Sequence, residues 1–297
     1  MPVSAPPGPR SRATRALYLV PLLALLATGC ASASGAAPDA DPTAAIPLPG
    51  PDDGSSEEGS PGTADGHDRD SEPVGDGPLH DRVVVIDPGH NGGNAEASSE
   101  INRLVPAGPQ QKACDTVGAE TDSGYPEHVF NWELSLLVKE RLEADGATVI
   151  LTREDDEGVG PCINERAEIG NEAGADAALS IHADGGPESG RGFHVIVPGE
   201  VEGYTEEIVE PSLELAEDLR REYREGTDIP YADYLAQDGL DERTDLGGLN
   251  MSTVPKVFLE AGNMRNPEDA ALLEDPEWQG RAANAIARAL AVYLMRG

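Results

Sequence analysis

The sequence predicts an α/β fold in which a mostly parallel sheet carries helices on both faces. Two observations predict it. Short apolar runs of strand length alternate with amphipathic stretches long enough for helices, and that alternation builds parallel sheets through crossover connections. Several of the runs also end in a turn signal or a chemically reactive side chain, as expected at the carboxyl edge of an open α/β sheet.

Each element has its own justification. Residues 83–86, Val-Val-Val-Ile, form a buried strand closed by the turn Asp87-Pro88-Gly89. Residues 128–144 read as a helix with Phe130, Leu134, Leu137, Val138 and Leu142 on one face and Gly146 just past its end. Residues 148–151 are the next strand, 163–171 a short helix and 177–181 a strand, Ala-Ala-Leu-Ser-Ile. Residues 192–197 are strand-like, and 205–224 form a charged amphipathic helix, most simply a solvated face. Residues 256–259 form a late strand and 277–295 an Ala-rich terminal helix. There is no internal repeat.

One connection departs from the pattern. Residues 91–126 are rich in Gly, Pro, Ser and Asn and show no periodicity. Loops longer than about 15 residues without structure are uncommon in compact domains and are often functional. The segment is either a floppy insertion or an ordered border of a site; Cys114 within it argues for order.

The N-terminus reads as a targeting signal. Arg10, Arg12 and Arg15 precede an apolar stretch over residues 17–27, which is too short to span a bilayer and has the form of a secretory signal. Ala27-Thr28-Gly29-Cys30 resembles a bacterial lipobox, which would leave Cys30 as a lipidated first residue; Ala31-Ser32-Ala33 offers an ordinary cleavage site instead. Residues 31–79 contain only Ile46, Leu48, Val74 and Leu79 as large aliphatics, with many acidic side chains against Arg69 alone. Such a segment cannot bury enough apolar surface to offset its ordering entropy and is expected to be a disordered tether. The expected organisation is therefore a signal over 1–30, a linker over 31–79 and a folded domain over 80–297.

Net charge is −34, from 55 acidic and 21 basic residues, which makes nucleic acid and anionic membrane surfaces poor partners. Membrane contact is expected only through an anchor at Cys30, and the chain is expected to be a monomer. Export places the protein in an oxidising compartment, where Cys114 and Cys162 read as a disulfide rather than as thiolate metal ligands; their spacing lacks a C-x-x-C pattern.

The chemistry rests on three segments far apart in the chain. His90 follows the first strand and its turn, Glu127 follows Gly-Tyr-Pro, and His182 follows Ala-Leu-Ser-Ile. Two imidazoles and one carboxylate make a catalytic zinc set that leaves a fourth position for water. Singly each is weak: a lone His after a strand is more often structural, and Glu127 could be a carboxylate favoured at a helix N-terminus. The two histidines gain weight because carboxyl ends of parallel strands share one edge. A fourth apolar run, Lys-Val-Phe-Leu, ends in Glu260, placed as general base and acid for a zinc hydrolase or, read blandly, as an exposed strand-end acid.

At this point the residues resemble the zinc-dependent N-acetylmuramoyl-L-alanine amidases of the third amidase type, the catalytic domains of bacterial cell-wall amidases. The matching stretches are V-V-I-D-P-G-H-N-G-G ending the first strand, Glu127 with its following helix, G-A-T-V-I-L-T-R, L-S-I-H-A-D and P-K-V-F-L-E-A-G-N-M-R-N-P-E-D-A-A-L-L. They span residues 82–296 in the family's order. The resemblance implies zinc held by His90, Glu127 and His182, with Glu260 as acid/base. It also implies a twisted six-stranded, mostly parallel mixed sheet, and a peptidoglycan or muropeptide substrate. His128, beside Glu127, departs from the pattern and could compete for metal; the loop over residues 91–126 is long, and residues 240–251 match poorly.

Two rivals remain on the residues alone. One is a zinc carboxypeptidase acting within the stem peptide, although the H-E-x-x-H pattern is absent. The other is a catalytically inactive, lipid-anchored wall-binding protein, against which an intact Glu260 counts.

Overall fold

The computed structural model describes residues 77–296, and the expected signal, Cys30 and nearly all of the linker lie outside the described residues. In chain order the first elements are β1 (Val83–Pro88), α1 (Ser98–Ile101), β2 (Leu104–Pro106), β3 (Gln111–Ala113), α2 (Glu127–Ala144) and β4 (Thr148–Leu151). They are followed by α3 (Ile163–Glu172), β5 (Ala177–Asp184), β6 (His194–Pro198), α4 (Val209–Thr227) and β7 (Leu240–Arg243). The chain closes with α5 (Gly247–Asn250), β8 (Lys256–Asn263), α6 (Pro267–Leu273) and α7 (Pro276–Leu294). Among the described residues no helix is long and apolar enough to cross a membrane.

Six strands make one sheet in the order β4-β1-β5-β8-β6-β7, mixed and mostly parallel as predicted. Only β6 against β8 is antiparallel. The cause is connection length. Residues 185–193 are too few for a crossover, which needs a dozen or more, so β6 must run back against the direction of β5. The slot between them is filled later by β8, and α4 then supplies the crossover to β7.

Alternation along the strands separates two faces. Val84, Ile86, Leu179, Ile181, Val257 and Leu259 pack under α2, α4 and α7, whose Phe130, Leu134, Leu215, Leu219 and Trp278 are buried with them. Burying side chains of this size contributes about 1.5–3 kcal/mol each before ordering costs. The opposite face is different. Val85 and Ala178 pack beneath Ile169 and Ala173 at α3, but the remaining positions carry Asp87, Ser180, His182, Lys256, Phe258 and Glu260. That face holds the chemistry.

Four details differ from the sequence reading. Helix α2 begins at Glu127 itself, so this residue sits in the first helical turn with Pro126 as its extended N-cap. Strand β5 runs on to Asp184, so His182 lies within the strand and not beyond its end. Residues 91–126 are not structureless: they hold α1 and the antiparallel β2–β3 hairpin. Strand β7, Leu-Asp-Glu-Arg, has no apolar run to announce it because it is a half-buried edge strand.

The tether predicted to end at residue 79 meets the folded part slightly earlier. Leu79 is fully buried and its N–H donates to the Asp145 carbonyl at 2.9 Å.

Candidate metal centre

His90, Glu127 and His182 converge: one ligand atom from each lies within 4.8 Å of the others. His90 Nε2 is 3.1 Å from Glu127 Oε1, and His182 Nδ1 is 2.9 Å from that same oxygen. The two imidazoles stand perpendicular, with centroids 4.9 Å apart. Three unconnected segments therefore meet at the carboxyl edge, as the sequence predicted. His128 does not join them; its Nδ1 lies 2.7 Å from Asp156 Oδ2.

Each member is held by a specific local device. His90 adopts a left-handed backbone, φ 61°, which is uncommon outside glycine and recurs at functional sites. Arg166 on α3 pins this turn: its Nη1 donates to Pro88 O at 2.7 Å and its Nη2 to His90 O at 3.0 Å. Gly89 is required by close approach, because a Cβ there would lie 2.1 Å from the His182 ring. His182 stacks on Phe258, two residues before Glu260 on the same face, with centroids 5.4 Å apart.

The orientation of His90 is set from outside. Its Nδ1 faces Thr116 O at 3.0 Å and Asp115 Oδ1 at 3.4 Å, which directs Nε2 toward Glu127. Glu127 Oε2 accepts from Ala119 N at 2.7 Å, and Oε1 accepts from Ala183 N at 3.2 Å. Gly118, φ 89°, passes so close that a Cβ would sit 2.8 Å from His90 Cδ2. The segment supplying Asp115, Thr116, Gly118 and Ala119 is the one the sequence left ambiguous. It is anchored by the Cys114–Cys162 disulfide, which closes the alternative of thiolate ligands.

A buried charge network underlies the turn. Asp87 takes Arg166 Nη1 at 2.9 Å, Lys256 Nζ at 3.1 Å, Ser180 Oγ at 2.5 Å and Thr152 Oγ1 at 2.7 Å. Arg166 Nη2 also reaches Asp115 Oδ2 at 3.2 Å. One guanidinium thus braces both the backbone of His90 and the carboxylate that orients its ring. The sequence reading passed over these residues. Lys256 opening an otherwise apolar strand was the available signal, since a buried lysine needs a carboxylate partner.

The electrostatics fit a cation. Burial opposes charge on His90, but Glu127 and Asp115 outweigh it and push the imidazole up to about 10. Burial would likewise raise Glu127, yet His90 and His182 hold it well below the usual carboxylate range. The cluster thus buries a carboxylate between two imidazoles and requires positive charge among them. Two neutral imidazoles, one carboxylate and a divalent ion meet that requirement, and the donor types are those zinc favours.

Glu260 lies beside the trio. It pairs in register with His182 on β5 and with His194 on β6. Burial first, then the charges of Glu127 and Asp184, push its carboxyl well above the usual carboxylate range. Its Oε2 is buried with no protein partner among the described residues. All four side chains line one cleft of about 560 Å³, together with Asp184, Arg243, Phe258 and Arg265. Such a constellation can hold a metal, take a proton and bind an extended polar substrate.

Comparison with known proteins agrees with this geometry. Residues 84–292 match the family described as N-acetylmuramoyl-L-alanine amidase. The chain is 44% identical over 213 residues to "N-acetylmuramoyl-L-alanine amidase Rv3717" of Mycobacterium tuberculosis, covering 71% of this chain and 86% of that protein. Crystal structures named as the N-acetylmuramyl-L-alanine amidase Ami1 are also similar. The Mycobacterium smegmatis structure has a TM-score of 0.69 at 40% identity, covering 74% of this chain and 99% of its own. The apo form from Mycobacterium abscessus has a TM-score of 0.69 at 42% identity, covering 73% and 100%.

Proposed function

The chain belongs to the N-acetylmuramoyl-L-alanine amidase family, and on that premise we propose that it cleaves the amide between N-acetylmuramic acid and L-alanine in peptidoglycan or muropeptides, with zinc as cofactor. The observation that carries the reading is the meeting of His90, Glu127 and His182 with Glu260 lining the same cleft. His90 through Nε2, His182 through Nδ1 and Glu127 through Oε1 would hold the metal. When bound, zinc supplies Lewis acidity, which acidifies water and polarises a carbonyl.

The chain's own residues do the rest. Glu260 accepts the proton of the attacking water on its carboxylate and returns it to the nitrogen of the departing L-alanine. A carboxyl that burial and neighbouring carboxylates hold above the usual range is suited to both transfers. Asp115 and Thr116 O hold the His90 tautomer through both steps. The cleft orients the muramoyl lactyl group against the centre. Export supports contact with the wall, and the lipobox-like segment at Cys30 supports an anchor; we read the anchored protein as a monomer.

The test joins metal analysis to product identification. A defined muramoyl peptide is digested with and without chelator, and the products are read by mass spectrometry. One zinc per chain, loss of turnover on chelation and an intact stem peptide with a free L-alanine amine are expected. A stem shortened from its carboxyl end would instead make the protein a carboxypeptidase.

A further inference from the structure

The cavities around the centre are rich in acid. Glu127, Asp184 and Glu260 line the central cleft, and Glu120 lines an adjoining cavity of about 450 Å³. The whole chain carries −34. Peptidoglycan stems are themselves anionic, so an approaching stem meets repulsion unless a cation is available where its carboxylate falls.

Most of the strong cations near the centre are already committed. Lys112 pairs with Asp245 at 2.9 Å. Arg166 is held by Asp87 and Asp115. Arg243 grips Asp245 with two bonds, Nε to Oδ1 at 2.7 Å and Nη2 to Oδ2 at 3.0 Å. Arg265 differs. It is exposed, and among the described residues its guanidinium has no hydrogen-bond or ion-pair partner.

Its place is fixed although its head is free. Asn263 Oδ1 accepts from Arg265 N at 3.0 Å, while Asn263 Nδ2 donates to Pro187 O and Gly190 O, each at 2.8 Å. Met264 N donates to Asp184 O at 2.8 Å, and Asn266 caps α6 directly after. Arg265 therefore springs from a rigid base. It lines both the central cleft and the adjoining cavity, which also share Val117, Gly118 and Ala119.

We infer that Arg265 is the specificity residue for the stem peptide, anchoring the carboxylate that follows the scissile L-alanine. The inference rests on the amidase reading above. In peptidoglycan the second stem residue is a D-glutamate joined through its side chain, so its α-carboxylate is either free or amidated. Two extended residues span about 7 Å, which keeps that group close to the reacting bond. A guanidinium takes a carboxylate with two parallel N–H···O bonds and an amide with poorer geometry and no charge. Arg265 thus reads the amidation state of the stem, and the adjoining cavity is the peptide arm of the cleft.

Paired substrates test it. The zinc-loaded protein is given N-acetylmuramoyl-L-alanyl-D-glutamate and its D-isoglutamine counterpart, and kcat/KM is compared. The wild type should favour the acid by about ten- to hundredfold, the range for a charge-assisted bond in a polar cleft. Arg265→Gln should bring the ratio near one, mainly through KM on the acid, and Arg265→Lys should give an intermediate ratio. A wild-type ratio near one, or an unchanged ratio in Arg265→Gln, overturns the assignment. If the wild type cleaves neither, the amidase reading fails separately. Calorimetry of the zinc-free protein with the free stem peptides in acid and amide forms then judges Arg265 alone, and equal affinities there would count against it.

Discussion

Asp115 approaches His90 from the side of the imidazole away from the cluster, its Oδ1 3.4 Å from Nδ1, while Nε2 lies 3.1 Å from Glu127. Outer partners of this kind typically tune metal affinity by about 10–100-fold. Asp115→Ala is accordingly expected to bind zinc about 10–100-fold more weakly, measured by competition with a chromogenic chelator. An unaltered affinity would mean that Thr116 O alone fixes the ring.

In the proposed mechanism Glu260, which lines the cleft but is not one of the three clustered ligands, moves a proton. Glu260→Gln should retain zinc in full and lose hydrolysis by about 10²–10⁴, the usual worth of a general base. Zinc content and turnover are read on the same preparation. Substantial activity in a zinc-replete Gln variant removes Glu260 from the mechanism.

The buried Asp87 makes stability depend on acid. Burial alone would raise its carboxyl, but Lys256 and Arg166, with Ser180 and Thr152, hold it well below the usual range. A carboxyl depressed in the folded state contributes stability above its unfolded value, near 3.9, and that contribution is lost as pH falls through the folded value. Unfolding free energy should therefore drop as pH goes below about 4. Asp87→Asn strands Lys256 and should cost about 3–5 kcal/mol at neutral pH, with a flatter acid limb. Denaturant titrations of both proteins across pH decide it; parallel curves would contradict the sign.

The disulfide closes a loop between Cys114 and Cys162, which are 48 residues apart in sequence. Replacing both cysteines by serine should lower stability by about 2–4 kcal/mol. Zinc affinity should fall as well, because Cys114 adjoins Asp115. Finding the melting temperature lowered and the affinity intact would separate the bond from the metal centre.

Much of this was legible in the chain. Val83–Pro88, Ala177–Asp184 and Lys256–Asn263 announce themselves because they are central strands with one face wholly apolar. His90, Glu127, His182 and Glu260 stand out since each follows or closes such a run or opens a helix. What was hidden depends on pairing between distant segments. Arg166 reads as an ordinary helix arginine until the fold brings Asp87 and Asp115 to it. Strand β7 carries charge on an edge and lacks the pattern of a central strand. The fold of residues 91–126 rests on short turns, a small hairpin, one sulfur bridge and bonds to distant residues such as Lys112 to Asp245 and Thr121 to Glu274, none of which produces periodicity.

That bridge is the covalent member of a scaffold otherwise made of weak contacts. With its sulfurs unjoined, the chain holds Asp115, Thr116 and Gly118 against the histidine only by contacts that thermal motion can undo. Joining them adds a covalent tie from that segment to the N-terminus of α3, the helix whose Arg166 also braces the turn, so the oxidised chain should hold the histidine's surroundings more firmly than the reduced one.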